Sequence, residues 1–151
     1  GKEGHGIDFL LCANMWSLLN HEALEDGILD RCAAEGISII VGGPYSSGIL
    51  ATGADPSNGS TPYYNYAPAN DDVRARCRRI ESICRQCGVP LIAAALQFPL
   101  LHSAVSSVIP GGKCPEEIHS NVEMMNVKIP PTLWRDLRAA GLLPQGLELP
   151  L

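Results

Sequence analysis

The chain has 151 residues, 46% hydrophobic and 18% charged, with a formal net charge of −5. This balance predicts a globular domain with its own core and excludes a disordered chain, and the negative charge argues against a nucleic-acid partner. The longest apolar runs, Ile37 to Val41 and Leu91 to Leu96, are too short to span a bilayer, and no charged start leads into a signal segment, so no membrane partner is expected. The first residue is Gly1 and not an initiator Met, which predicts a fragment or a processed product.

Ile7 to Ala13 reads as a first strand. A helix is expected from about His21 to Glu35, with Asn20 as N-cap, an apolar face through Leu24, Ile28, Leu29 and Cys32, and Gly36 as its stop. Ile37 to Gly42 is almost continuously apolar, the pattern of a parallel strand buried on both faces. These three elements make a βαβ unit with a right-handed crossover. Gly43 to Asn70 is a long loop rich in Gly, Pro, Ser, Asn and Tyr, and structureless loops of this length are functional or disordered.

Asn70 is placed to cap a helix from Asp71 to Gln86, with Gly88 ending it and two Asp residues at the positive end of its dipole. Pro90 opens a helix through Phe98 that Pro99 should stop. Val105 to Ile109 reads as a strand, one helix starts at Pro115, and a last one runs from about Pro131 to Ala140. Strands alternating with helices indicate an α/β architecture. Three parallel strands cannot close a barrel, which takes about 250 residues, so the sheet reads as incomplete.

Val108-Ile109-Pro110-Gly111-Gly112-Lys113-Cys114-Pro115-Glu116-Glu117 ends a strand, turns on two glycines and enters a helix. Such a turn can aim several N–H groups at an anion beside the positive end of a helix dipole. The same pattern serves an ordinary strand-to-helix connection, and spacing alone does not choose between the two.

Val-Ile-Pro-Gly with Asn121 ten residues after Gly111 resembles the closing strand and cofactor loop of the aldo-keto reductases. Gly42-Gly43-Pro44-Tyr45-Ser46-Ser47-Gly48-Ile49-Leu50 resembles the loop after their seventh strand. Tyr64 to Ala69, Gly88 to Leu91 and Ala95 to Pro99 match as well, in the same order, and the nearest branch is the D-threo-aldose, L-fucose and L-galactose dehydrogenase type.

The resemblance implies the C-terminal part of a TIM (β/α)8 barrel, strands six to eight with their flanking helices. Residues 1–151 then form a partial barrel domain whose N-terminal strands are missing, and the missing part of the barrel is an expected partner. It also implies cofactor contacts from Ile109, Gly111 and Gly112 to adenosine phosphate and ribose, from Asn121 to the adenine edge, and from Gly43, Pro44, Tyr45 and Ser47 across the pyrophosphate. Gly111 stands where many NADPH-dependent members carry a Lys or Arg, and Glu117 where an Arg meets the 2′-phosphate. The expected cofactor is therefore NAD, with NADP as the alternative because Lys113 could compensate. Glu117 also suits a capping box that reaches back to the Cys114 N–H. Gly42 replaces a Tyr that stacks on nicotinamide, leaving Trp16 or Tyr45 for that task, and Met15-Trp16 replaces an Arg-Tyr pair after strand six.

The family's catalytic Asp, Tyr, Lys and His come from strands earlier than these, so no catalytic residue is assigned. His5, His21, His102 and His119 read as helix or connection residues. Cys84-Arg85-Gln86-Cys87 lacks the further ligands a zinc site needs; with Val73, Cys77 and Ile80 it continues an apolar stripe, so core packing is expected. The thiols are expected to be reduced, in a cytoplasmic protein. The implied parent is an aldo-keto reductase oxidising the C1 hydroxyl of an aldose to a lactone, with this chain alone inactive. The alternatives are a pyridoxal-type alcohol or aldehyde substrate, or a non-catalytic nucleotide-binding remnant.

Overall fold

The computed structural model describes residues 6–150. Strands β1 (Phe9–Ala13), β2 (Ser38–Gly42) and β5 (Val105–Ile109) form one parallel sheet in the order β1-β2-β5. Phe9 pairs with Ser38 and Ala13 with Gly42, while Gly42 pairs on its other side with Ile109. The register slips between Ile39 and Ile40. All three strands end at the same edge.

The helix expected between the first two strands is two helices, α1 (Glu22–Glu25) and α2 (Ile28–Glu35). Gly27 separates them at φ 72°, a left-handed conformation that breaks the helical run. Asn20 still satisfies a first-turn donor, with its Oδ1 accepting the Glu22 N–H at 3.0 Å, although His21 occupies the cap position. Gly36, at φ 72°, ends α2 as expected.

The segment between β2 and α4 (Asp71–Gln86) is not structureless. It carries a 3₁₀ turn, the short helix α3 (Ile49–Thr52), and a two-stranded hairpin, β3 (Tyr63–Tyr64) and β4 (Ala67–Pro68). Asn70 caps α4 by accepting the Val73 N–H at 2.9 Å. Helix α5 (Leu91–Gln97) ends one residue short of Phe98, and the chain tightens there into a 3₁₀ turn over Phe98–Leu101 that holds Pro99 in its first turn. Helices α6 (Pro115–Met125) and α7 (Pro131–Ala139) complete the chain.

The core lies on one side of the sheet. Ala93, Ala94 and Ala95 are buried, and their small side chains let α5 approach α3, α4 and α6 closely. Phe98 is the hub, with ring centres 4.7 Å from Trp16, 5.7 Å from His21 and 6.3 Å from Trp134. The Gln97 amide ties α5 to the end of α6 by donating to the carbonyls of Met124 and Val127 at 2.8 and 2.9 Å. Cys77, Ile80 and Cys84 are buried as the stripe on α4 predicts. Burial pushes both thiols up to about 12, so neither is a reactive thiolate.

Burial on both faces of β2 is not observed. Ile39 and Val41 are buried, whereas Ser38, Ile40 and Gly42 are only half-buried. The alternation arises because the helices cover one face, and no described layer covers the other.

Candidate functional site: a cradle at the strand ends

The C-terminal ends of the three strands converge on a cavity of about 640 Å³. Clefts at this edge are where parallel sheets bind ligands. Its walls come from the turns after β1, β2 and β5, together with α3, the hairpin and α6.

After β2, Gly43 takes φ 70°, and a side chain there would collide with the Asn14 carboxamide. Glycine therefore lets the turn lie against the end of β1. Ser46 and Ser47 follow at φ 49° and 60°, then Gly48 at 105°. Several consecutive residues in strained conformations mark a segment whose shape matters more than its local energy. The turn is fixed from below by Ser46, whose hydroxyl lies 2.8 Å from that of Ser17 in the loop after β1.

After β5, Gly111 and Gly112 line the cavity, and a Cβ on Gly112 would push aside the tip of the Ile118 side chain. Helix α6 then starts at Pro115 with Glu116 and Glu117 in its first turn. The expected capping box is not formed: the Glu117 carboxylate accepts the N–H of Lys113, before the helix, at 2.7 Å and not that of Cys114. Cys114 is extended, at φ −147°, which turns the preceding residue toward the carboxylate.

Tyr45 and Asn121 join the two turns. The Tyr45 hydroxyl donates to Asn121 Oδ1 at 2.6 Å, and Asn121 Nδ2 donates to the Gly111 carbonyl at 3.2 Å. Burial holds the Tyr45 phenol at about 12, so it remains a donor. Asn121 keeps one N–H and one lone pair free of these bonds for a ligand.

The cavity thus gathers Gly43, Pro44, Tyr45, Ser47, Gly111, Gly112, Glu117 and Asn121 of the residues singled out in the sequence. Ile109 is not in the lining; it stands 54% exposed at the strand end. Asn14, Ile92, Ser120 and Tyr66 also line the cavity and were not singled out. Only the match of Tyr64-Asn65-Tyr66 to the family pattern pointed toward the last of these.

Trp16 cannot stack on a ligand. It is fully buried against Phe98, and its indole N–H donates to the Pro99 carbonyl at 3.1 Å. None of the described histidines lines the cavity. His21 is buried between Trp16 and Phe98, and burial, helped by the Arg76 charge, lowers its pKa to about 4. His102 accepts the Ala104 N–H at Nδ1 and turns Nε2 to Asp30 at 3.2 Å. His119 is exposed on α6, and His5 lies outside the described residues. Among the described residues no cluster of His, Cys, Asp and Glu could hold a metal ion, and no single helix is long and apolar enough to cross a membrane.

The family model described as the aldo/keto reductase family matches residues 2–141. The chain belongs to the aldo/keto reductase family. Among relatives, this aldo/keto reductase chain is 38% identical over 137 residues to the pyridoxal 4-dehydrogenase of Microbacterium luteolum, covering 91% of this chain and 39% of that protein. It is 36% identical over 138 residues to the D-threo-aldose 1-dehydrogenase of a Pseudomonas sp, covering 91% and 41%. It therefore spans about two fifths of the length of the curated relatives it matches.

Solved structures with the same fold include an aldo-keto reductase from Bacillus halodurans in its holo form, at TM-score 0.62 and 19% identity over 92% of this chain and 44% of that one. Another is the glycerol dehydrogenase of Gluconobacter oxydans, at TM-score 0.63 and 16% identity over 93% and 44%. The three strands and their helices are accordingly part of an aldo-keto reductase TIM barrel, the part that carries strands six to eight.

Proposed function

We propose that residues 1–151 are the cofactor-holding part of an NAD(P)-dependent oxidoreductase, and that the first strands of the barrel complete it. The observation that carries this reading is the cradle itself. Glycine turns after β2 and β5, the first lying tight against the Asn14 carboxamide, face an α6 N-terminus across a cavity large enough for a nucleotide. Gly111 and Gly112 would hold the adenosine phosphate and ribose, Asn121 the adenine edge, and Gly43, Pro44, Tyr45 and Ser47 the pyrophosphate. When bound, the dinucleotide supplies the hydride acceptor.

NAD is favoured over NADP. Two carboxylates already occupy the first turn of α6, and the Lys113 backbone N–H that could meet a 2′-phosphate is already bonded to Glu117. A phosphate there would meet repulsion. The reaction we favour removes a hydride from C1 of a cyclic aldose and a proton from its hydroxyl, leaving a lactone. The similarity to a pyridoxal 4-dehydrogenase supports a pyridoxal-type alcohol as the second reading. The acid–base residues belong to the earlier strands, so the chain alone should not reduce NAD with any sugar.

Two experiments test this. Saturable NAD reduction by the pure chain would refute the division of labour. In the complete barrel, Glu117→Arg should move the ratio of catalytic efficiencies toward NADP by roughly ten- to a hundredfold, since hydrogen bonds to charged groups are worth about 1.5 to 3 kcal/mol. An unmoved ratio would leave Glu117 a brace for the turn before α6 and nothing more.

A further inference from the structure

Tyr66 breaks a local rule. Asn65 and Tyr66 are the two central residues of the hairpin that joins β3 to β4, at φ 47° and 64°. Two-residue turns with both angles positive take Asn first and Gly second. Asn65 obeys, but the second position holds a bulky aromatic where glycine would relax the backbone. A residue kept against local preference is kept for its side chain.

The residue is 83% exposed, yet it is held through both its backbone and its hydroxyl. The Tyr66 N–H donates to Ser47 Oγ at 3.0 Å, and the Asn14 carboxamide donates to the Tyr66 hydroxyl at 3.3 Å. Tyr66 and Asn14 both line the cavity. Strand order fixes which end they occupy. β2 lies between β1 and β5, so Asn14, at the end of β1, is across the cradle from the turn and helix that follow β5.

We propose that the tethered Tyr66 ring is a stacking platform for a flat heteroaromatic ring at the β1 end of the cradle. This rests on the cofactor reading above. With adenosine held after β5 and pyrophosphate after β2, the group that reaches Tyr66 is the nicotinamide. Tyr45 does not compete for the role, because it is buried and bonded to Asn121 beside the β5 turn. Ser47 links the two functions, since it lines the pyrophosphate segment and anchors the Tyr66 backbone.

Calorimetric titration of the full chain with NAD and with ADP-ribose, which lacks nicotinamide, decides the matter. Tyr66→Gly should keep or raise the melting temperature, because it relieves the turn. It should leave ADP-ribose affinity unchanged and weaken NAD about tenfold, the scale of stacking a base on an aromatic side chain. Tyr66→Phe should retain most of the NAD affinity. Equal NAD and ADP-ribose losses in Tyr66→Gly would make Tyr66 a prop for the hairpin and overturn the proposal, as would no loss of either. If the wild-type chain binds neither ligand, the cofactor reading fails first and takes this one with it.

Discussion

On the helix side of the sheet, Cys12, Ile39 and Val41 are 7%, 0% and 0% exposed; on the other side, Phe9, Leu11 and Ile109 are 61%, 64% and 54% exposed. Both sets are apolar, so composition does not separate them. What separates them is the presence of a packed layer. The helices that come from this chain, α2 against β2 among them, enclose the first set in one core. The second set faces where, in our reading, the remaining strands of the barrel would lie. The cradle sits at the boundary and draws all its described walls from this chain. The cradle we propose for the cofactor is therefore assembled in a chain whose sheet is covered on one face only.

If stability resides on the covered side, damage there should be the most costly. Phe98→Ala removes the ring on which Trp16, His21 and Trp134 pack. It should lower unfolding free energy by about 3 to 5 kcal/mol in a denaturant titration. A loss below about 1 kcal/mol would mean that the aromatic cluster is not the centre of the fold.

Protonation should attack the same cluster. His21 has its pKa lowered to about 4 in the folded chain from an ordinary 6.5, first by burial and then by Arg76. The unfolded chain therefore binds this proton first. Stability present above pH 6.5 should fall as pH drops and be fully lost below about pH 4. The span corresponds to at most about 3 kcal/mol. The difference between wild type and His21→Gln across that window isolates the contribution. Parallel curves would show that His21 reaches water when charged.

At the boundary the cost should be smaller and the effect on binding larger. Gly43→Ala forces a left-handed φ of 70° on a residue whose Cβ meets the Asn14 side chain. We expect about 1 to 2 kcal/mol of destabilisation, together with loss of the Asn14 to Tyr66 bond, read by a thermal melt and by nucleotide titration. An unchanged melt and unchanged binding would remove the close approach of the two turns from the argument.

Much of this was legible in the sequence, for physical reasons. The β2 strand itself, the Asn70 cap and the Gly36 and Gly88 stops are local signals, and each formed as read. The glycine turn after β2 was equally readable, because few residues tolerate the left-handed φ and close approach of Gly43. Three features depended on distant partners and were not readable. Trp16 is core because Phe98 and the Pro99 carbonyl, far along the chain, receive it. Glu117 bonds Lys113 because the extended Cys114 redirects the preceding amide. The Tyr66 tether needs a hairpin inside a segment whose composition signals only a loop. The half-open β2 face was misread for a different reason: an apolar pattern records a face fit for burial, not whether the covering layer is in the same chain.

That last point yields the smallest and sharpest prediction. Leu11 lies on the uncovered face, paired in register with Ile40 of β2. In the chain by itself, Leu11→Ala removes a side chain already 64% exposed, so the cost should stay within about 0.5 kcal/mol. An uncovered apolar face also invites association, so sedimentation of the chain should show self-association that weakens in this variant. In a complete barrel the same position would be enclosed, and the same substitution should cost about 2 to 5 kcal/mol. The contrast between the two contexts measures the missing layer directly. If Leu11→Ala is expensive in the isolated chain, the exposed face is already buried there, and the second copy that buries it is the natural suspect. If it is cheap in both, strands from elsewhere do not close over this sheet, and the partial-barrel reading of residues 1–151 loses its main physical support.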